Sequence, residues 1–412
     1  MYRFIFVISF VIHPMITFEQ ALHIVLDAVG TKDFPYDKCE LLALEQANGR
    51  IIQQAIFADR DMPAFDKSAV DGYACTSIDL ETRSPMRLLE VIPAGVEPKY
   101  AIAQGDCSKV MTGAMVPKGT ECVLMVEDAL ERDGSIYACD KPKIKSNICF
   151  QGEDTLAKTQ LFSPGTLLKP QHIAILSAYG YTSIRVATKI KVGVISTGDE
   201  LIEPWEAPQK AQIRNSNGLQ LLAQCKESGV LPTYYGIAKD QTDSLAPIMA
   251  KAIRENEVVL VSGGVSMGDF DIVPETVKNL GITILFDRIA VQPGKPTTFG
   301  MGEGRFFFGL PGNPVSSFIQ FELMVKPFLM KLMGTHYAPT SLFLPLAHSF
   351  GRKQAERLAH LPATIDATGF CNLIDYHGSG HISALDKAQC LVRIPVGVHT
   401  LSIGAFVEVI LI

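Results

Sequence analysis

The sequence predicts a multidomain α/β protein. The parts expected are a central parallel α/β domain, a helical and extended linking domain, a small inserted β-rich domain and a C-terminal β-barrel-like domain. Three observations carry that expectation. The chain of 412 residues is too long for one hydrophobic core. Between residues 189 and 333, short aliphatic runs alternate with amphipathic stretches, the mark of a parallel sheet with helices on both faces. On either side the alternation stops, and short strand-like runs broken by Gly and Pro fill 59–149 and 336–412.

The first fourteen residues, MYRFIFVISFVIHP, have one early Arg and an apolar run from Phe4 to Ile12, like the core of an export signal. The run is too short to span a bilayer, and no Ala-x-Ala-like cleavage site follows. The preferred reading is a mis-called start, with Met15 as the true first residue; a tolerated extension and a real export signal are the other two. From Met15 the pattern is an amphipathic helix, with Thr17 as its cap and Phe18, Ala21, Leu22, Val25, Leu26 and Val29 on one face. Residues 15–58 are expected to be helical and to form, with 150–188, the linking domain. Residues 59–149 form the inserted domain, with strand-like runs at Leu88–Ile92, Lys109–Thr112 and Cys122–Val126.

The α/β domain spans 189–333. KIKVGVIST, PTYYGIA, VVLVS and RFFFGL read as strands, and Asn217–Gly229 and Asp243–Asn256 as helices. A long helix from Pro314 to Met333 closes the domain, with Pro at its first turn. Residues 336–412 lose helical periodicity and form the C-terminal β domain.

Net charge −6, a pI near 5.9 and the lack of any Lys/Arg run argue against nucleic acid or a membrane as partner. Nine scattered cysteines without a CxxC pair indicate reduced thiols and a cytoplasmic protein.

Three loops follow predicted strands: STGDEL (196–201), SGGVSMGDFD (262–271) and GLPGNPVSS (309–317). In a parallel sheet they open on one edge, where ligands bind. Gly263 and Gly264 allow consecutive N–H groups to face one anion. Pro314 pre-sets a helix start, placing the N–H groups of Val315 to Ser317 at its positive end. Lys295, in QPGKP, adds a cation; GKPT is not a Walker loop, because its spacing fails. Glu200, Asp240 and Asp271 are hard oxygen donors suited to Mg²⁺. Backbone donors beside a divalent ion suit a phosphorylated ligand. No Cys or His lies in the three loops, so a transition metal handled there must take its sulfur from the substrate.

These loops, taken in order with PAFDKSAVDGYA (63–74), MTGAMVPKGTECVLMVED (111–128), QGED (151–154), NSNG (215–218) and QPGKP, closely resemble the molybdopterin molybdenumtransferase (MoeA) family. The resemblance covers nearly the whole chain from Met15. It implies insertion of molybdenum from molybdate into adenylylated molybdopterin with release of AMP, dependent on Mg²⁺, by an elongated homodimer whose cleft is shared between subunits. It makes the central domain similar to the molybdopterin adenylyltransferases, one of which is a possible handover partner. The alternatives are that ATP-dependent adenylyl transfer itself, or a non-catalytic scaffold.

Carried over residue by residue, the catalytic set is Asp66, Glu200, Asp240, Asp271 and Lys295, with Glu200, Asp240 and Asp271 holding the metal. The resemblance assigns substrate binding to Ser68, Asp71, Thr112 and Asp154 outside the α/β domain. Within it the set is Thr197, Gly198, Ser262, Gly263, Gly264, Ser266, Gly268, Pro311, Gly312, Asn313, Pro314 and Ser316, followed by Arg357 and Ser379 in the last domain. Three positions depart from the family pattern: Gln292 where some members carry Lys, Pro362 near a common Arg, and Cys390 for a common Gly.

Overall fold

A computed structural model describes residues 15–30, 38–139, 146–265, 272–335, 337–375 and 378–412. The expectation for residues 1–14 therefore lies outside the described residues. Helix α1 (Phe18–Asp27) starts on a capping box in which Thr17 and Gln20 satisfy each other's backbone N–H groups. Phe18, Ala21 and Val25 are its buried stripe, and Val29, just past its end, is buried too.

The expectation of helix through residue 58 is corrected. Strand β1 (Cys39–Ala43) follows, and within the described residues 38–58 only a short 3-10 turn at Leu44–Gln46 is helical. Next comes a six-stranded sheet of β2 (Gly72–Cys75), β3 (Met86–Ile92), β4 (Asp106–Val110), β5 (Cys122–Met125), β6 (Ala129–Arg132) and β7 (Ser135–Ala138). The chain returns through α2 (Pro170–Ala178) and β8 (Ser183–Ala187), and β8 pairs antiparallel with β1 over five residues. That ladder is why Cys39–Ala43 is a strand: long-range pairing overrides a helix-prone local composition.

The central sheet is built from β9 (Lys191–Thr197), α3 (Asn217–Glu227), β10 (Leu231–Ala238), α4 (Thr242–Glu255), β11 (Val258–Ser262), α5 (Val273–Asn279), β12 (Thr283–Phe286), β13 (Thr298–Gly302) and β14 (Arg305–Leu310). Its order is β10-β9-β11-β14-β13-β12. The four strands from β10 to β14 are parallel; β13 runs against them, and β12, antiparallel to β13, points the same way as the four. The sheet is mixed, which corrects the all-parallel expectation. β13 and β14 form a hairpin across Glu303-Gly304, both with positive φ, as a tight two-residue hairpin turn requires.

Both faces of the sheet are covered, and strand alternation decides which side chain goes where. Val192, Val194, Val258, Leu260, Phe306 and Phe308 join α1, α3 and the closing helix in one core. Ile195, Val259, Val261 and Phe307 pack with α4 and α5 in the other. The closing helix consists of α6 (Pro314–Gln320), a π turn at Phe321–Val325, and α7 (Lys326–Leu332). One continuous α-helix was expected. Pro327 has no N–H for the carbonyl four residues back, and the ladder changes pitch just before it.

The last region contains β15 (Ser341–Pro345), β16 (Leu358–Ile365), β17 (Cys390–Ile394) and β18 (Phe406–Leu411). Its hydrogen-bonded path begins at Val291–Gln292, runs through β16, β17 and β18 and ends at β15. Among the described residues this path is open at both ends, where the pattern suggested a β-barrel-like domain. Val291–Gln292 pairs in parallel with Leu358–Ala359, so the QPGKP segment is tied to the C-terminal sheet. Six cysteines (75, 107, 122, 225, 371 and 390) are buried and all nine are free thiols, as their scatter predicts. Among the described residues no helix is long and apolar enough to cross a membrane.

Candidate functional site

Strands β9, β11 and β14 are neighbours, and they end in register: Ser196 lies beside Ser262, and Ser262 beside Leu310. Their loops therefore leave the sheet side by side. Gly263 N–H donates to the Leu310 carbonyl at 3.1 Å. Gly263 and Gly264 have φ of +94° and +61°. A Cβ on Gly263 would lie 2.4 Å from the Thr197 carbonyl oxygen, and one on Gly264 would lie 2.7 Å from Thr197 Oγ1. Both positions need glycine twice over, for backbone hand and for close approach.

These loops line a cavity of about 590 Å³, with Thr197, Glu200, Asp240, Gly264, Pro311 and Asn313 among its walls. The expected meeting of three distant loops is realised. Thr197 is buried, and its hydroxyl has no hydrogen-bond partner among the described residues; such an orphan on a cavity wall is a donor waiting for a ligand oxygen. Glu200 folds back over Gly198, where a Cβ would meet its Oε2 at 2.6 Å. Asp240 N–H donates to Asp199 Oδ1 at 3.3 Å, which draws the acids after β9 and β10 to one rim. Two carboxylates, Glu200 and Asp240, line this cavity; they are of the hard oxygen type that Mg²⁺ takes, but among the described residues they are not part of any cluster of three acidic, His or Cys ligands. Ser266, Gly268 and Asp271 lie outside the described residues.

One expectation about anion donors is corrected. Val315 N–H is taken by the Ser379 carbonyl at 3.2 Å and Ser317 N–H by the Asn313 carbonyl at 3.0 Å. The start of α6 is thus partly spent on holding the C-terminal segment, and Asn313 Nδ2 donates to Ser379 Oγ at 2.8 Å. Ser379 thus lies against the Pro-Gly-Asn-Pro turn.

A second cavity, of about 730 Å³, lies between the QPGKP segment and the C-terminal sheet. Lys295, Arg352, Arg357, Ser316 and Ser379 line it, and it shares Pro296, Pro311 and Asn313 with the first. Arg352 is held by three backbone carbonyls: Val398 at 2.8 Å, Arg357 at 2.9 Å and Pro395 at 2.5 Å. Its guanidinium thereby fixes the backbone that carries Arg357. Gln292, Pro362 and Cys390, the three departures from the family pattern, all lie on strands of this sheet.

The remaining predicted residues are not brought to either cavity within one chain. Asp66 Oδ1 accepts from Gln151 N–H at 2.7 Å and borders a separate cavity of about 480 Å³. Asp71 Oδ1 accepts from Thr112 N–H at 2.6 Å and Thr112 Oγ1 at 2.7 Å. The Thr112 N–H above all, and then its hydroxyl, hold the Asp71 carboxyl below the usual range. Ser68 is buried, and its hydroxyl donates to the Val70 carbonyl at 2.5 Å, so it shapes a turn. Asp154 is exposed, with its N–H on the Met62 carbonyl.

Sequence reasoning missed Asn215, Asn217 and Arg352. Asn215 Oδ1 accepts from Ser196 Oγ at 3.2 Å, and its Nδ2 donates to Tyr234 Oη at 2.7 Å. Asn217 Nδ2 donates to Ser262 Oγ at 2.7 Å and the Gly312 carbonyl at 2.8 Å. The only local signal for the pair is a polar Asn-Ser-Asn just ahead of a helix.

Comparison with known proteins agrees with this geometry. Residues 16–180 match the family model described as MoeA N-terminal region (domain I and II), and residues 193–331 match the probable molybdopterin binding domain. The chain is 34% identical over 376 residues to a molybdopterin molybdenumtransferase of Staphylococcus epidermidis, covering 89% of this chain and 90% of that one. The corresponding Staphylococcus aureus protein is 32% identical over 379 residues, with 90% of each covered. Among solved structures, a molybdopterin biosynthesis MoeA protein from Pyrococcus horikoshii aligns with a TM-score of 0.83 at 29% identity, over 97% of this chain and 100% of that one. With matches over nearly its full length, this chain belongs to the molybdopterin molybdenumtransferase (MoeA) family.

Proposed function

We propose that the chain inserts molybdenum from molybdate into adenylylated molybdopterin, with release of AMP. The observation that carries this reading is the convergence of Thr197, Gly264 and Asn313 on a cavity that holds two carboxylates and adjoins a cation-lined one. In the first cavity, Thr197 Oγ1 and the glycine-turn amides bind and orient the phosphate oxygens of the adenylate. Glu200 and Asp240, with Asp271, would hold Mg²⁺, which when bound would neutralise the phosphate oxygens and ease attack by water on the phosphoanhydride. Water adds to phosphorus, the bridging P–O bond breaks, AMP leaves and the protons pass to solvent.

In the second cavity, Lys295 and Arg357 bind the oxyanion of molybdate beside the Pro311–Asn313 turn, where the pterin sulfurs are to receive the metal. Asp66 and Asp71 are supplied across a homodimer by a second copy, which accounts for their distance from both cavities of their own chain. An adenylyltransferase acting upstream hands over the substrate in the cytoplasm.

The test is incubation with adenylylated molybdopterin, Mg²⁺ and molybdate. AMP and active molybdenum cofactor are expected, with no need for ATP. Consumption of ATP with release of pyrophosphate would assign the chain to the adenylyl-transfer step. No turnover of either kind would leave a scaffold.

A further inference from the structure

The loops after β11 and β14 face the ligand, yet neither is rigid by sequence. Each is a run of small residues, Ser262-Gly263-Gly264 and Pro311-Gly312-Asn313. Gly263 N–H ties them at their root to the Leu310 carbonyl at 3.1 Å, and beyond that root they are bridged by a side chain from a third place, the first residue of α3. Asn217 is 7% exposed, and both hydrogens of its amide are used: one on Ser262 Oγ at 2.7 Å, the other on the Gly312 carbonyl at 2.8 Å. Ser216 Oγ donates back to Asn217 Oδ1 at 3.4 Å, which sets the amide with nitrogen toward the loops. Ser262 Oγ passes its own hydrogen to the Pro311 carbonyl at 3.4 Å, so the joint is closed on all sides.

The third loop is fastened through the same segment. Asn215 N–H donates to the Ile202 carbonyl at 2.8 Å, and Asn215 Oδ1 takes the Ser196 hydroxyl. We propose that Asn217 is a positioning residue for adenylate cleavage: it sets the spacing of the two glycine turns that grip the phosphate, without itself needing to touch the reacting atoms. The inference rests on the proposed function above.

Loosening this joint leaves every loop donor in place, so ground-state binding survives while transition-state alignment is lost. A shift of about 1 Å at such a site costs up to about a hundredfold in rate. The test compares wild type with Asn217→Asp, Asn217→Ala, Ser262→Ala and the double variant Asn217→Ala/Ser262→Ala. AMP release from adenylylated molybdopterin is followed at limiting and saturating substrate, with thermal midpoints and hydrogen exchange on the same samples. Asn217→Asp keeps the shape but sets an oxygen against the Gly312 carbonyl.

The expected result for both Asn217 variants is a kcat about tenfold lower or worse, with KM within about threefold. Exchange rises in 258–265 and 309–313 and stays unchanged elsewhere. The double variant is no slower than Asn217→Ala, because both residues act through one joint. Wild-type kcat in Asn217→Asp overturns the proposal, as does a lowered midpoint with unchanged kinetics per folded molecule, or an additive double variant. If wild type itself releases no AMP, the functional reading has failed; the exchange pattern then still decides the joint, and unchanged protection in the two loops rejects it.

Discussion

Two cavities meet at the Pro311–Asn313 turn, and they are built in opposite ways. The first is made by strand ends of one sheet, and its charged walls include Glu200 and Asp240. The second is made where two parts of the chain face each other, and its charges include Lys295, Arg352 and Arg357. Carboxylates attract a divalent cation and repel a bare oxyanion; guanidinium and ammonium groups do the reverse. The contrast is one of balance, since Arg214 also lines the first cavity and Asp375 the second; under the proposed function it would keep a cation bound with the phosphate apart from the incoming oxyanion. The division of labour is read from sign of charge and from position, and each part of it is open to breakage.

The largest effect is expected in the first cavity. Glu200→Gln keeps the volume but removes a charge, and AMP release should fall by about 100-fold or more, roughly 3 kcal/mol. Half-saturation for molybdate should stay near wild type. A single-turnover assay with molybdate varied reads both numbers.

Next comes a pH effect confined to the second cavity's wall. On β16, Ala359 and Leu361 line that cavity, while His360 between them points the other way, into the contact with Phe18 at a ring distance of 5.2 Å. His360 is fully buried, and neither ring nitrogen has a hydrogen-bond partner among the described residues. Burial first, and then the nearby Arg393 charge, push its pKa down to about 3. The folded state therefore refuses a proton that the unfolded chain accepts below its ordinary value near 6.5. Stability should be intact above pH 6.5 and fall as pH drops from there toward 3, by about 2 kcal/mol at pH 5. Hydrogen exchange at pH 5 should open 358–365 before 258–262, and His360→Leu should remove most of that pH dependence.

A smaller effect is expected from Lys295→Ala. It should raise half-saturation for molybdate about tenfold and leave AMP release at saturating molybdate nearly unchanged, the mirror of Glu200→Gln. The smallest is Arg352→Lys, which cannot reproduce a guanidinium bonded to three carbonyls. It should raise half-saturation for molybdate about threefold by loosening the backbone of Arg357, with AMP release at saturation unchanged.

The same contrast explains what could be read from sequence. The first cavity was largely legible because its walls are strand-to-turn junctions, each announced by an aliphatic run and then glycines. Val258 to Ser262, all buried, is the plainest case. The β13–β14 hairpin was not read, although Glu303-Gly304 between two apolar runs is a turn signal. Residues 39–43 failed for a deeper reason, since their partner strand lies at 183–187 and nothing local marks it. Asn217 stood inside the NSNG motif, but its role was not readable there, because its two acceptors lie 45 and 95 residues further on. Arg352 had no signal at all, because a half-buried guanidinium bonded to carbonyls looks in sequence like any surface arginine. Asp66 and Asp71 came only through family resemblance, and one chain alone does not carry them to the site.

The most direct test is to locate the oxyanion itself, by anomalous diffraction at the molybdenum edge from crystals soaked in molybdate. The account predicts a peak within hydrogen-bonding reach of Lys295 and Arg357, beside the Pro311–Asn313 turn. A peak between Glu200 and Asp240, with the cation-lined cavity empty, would contradict it.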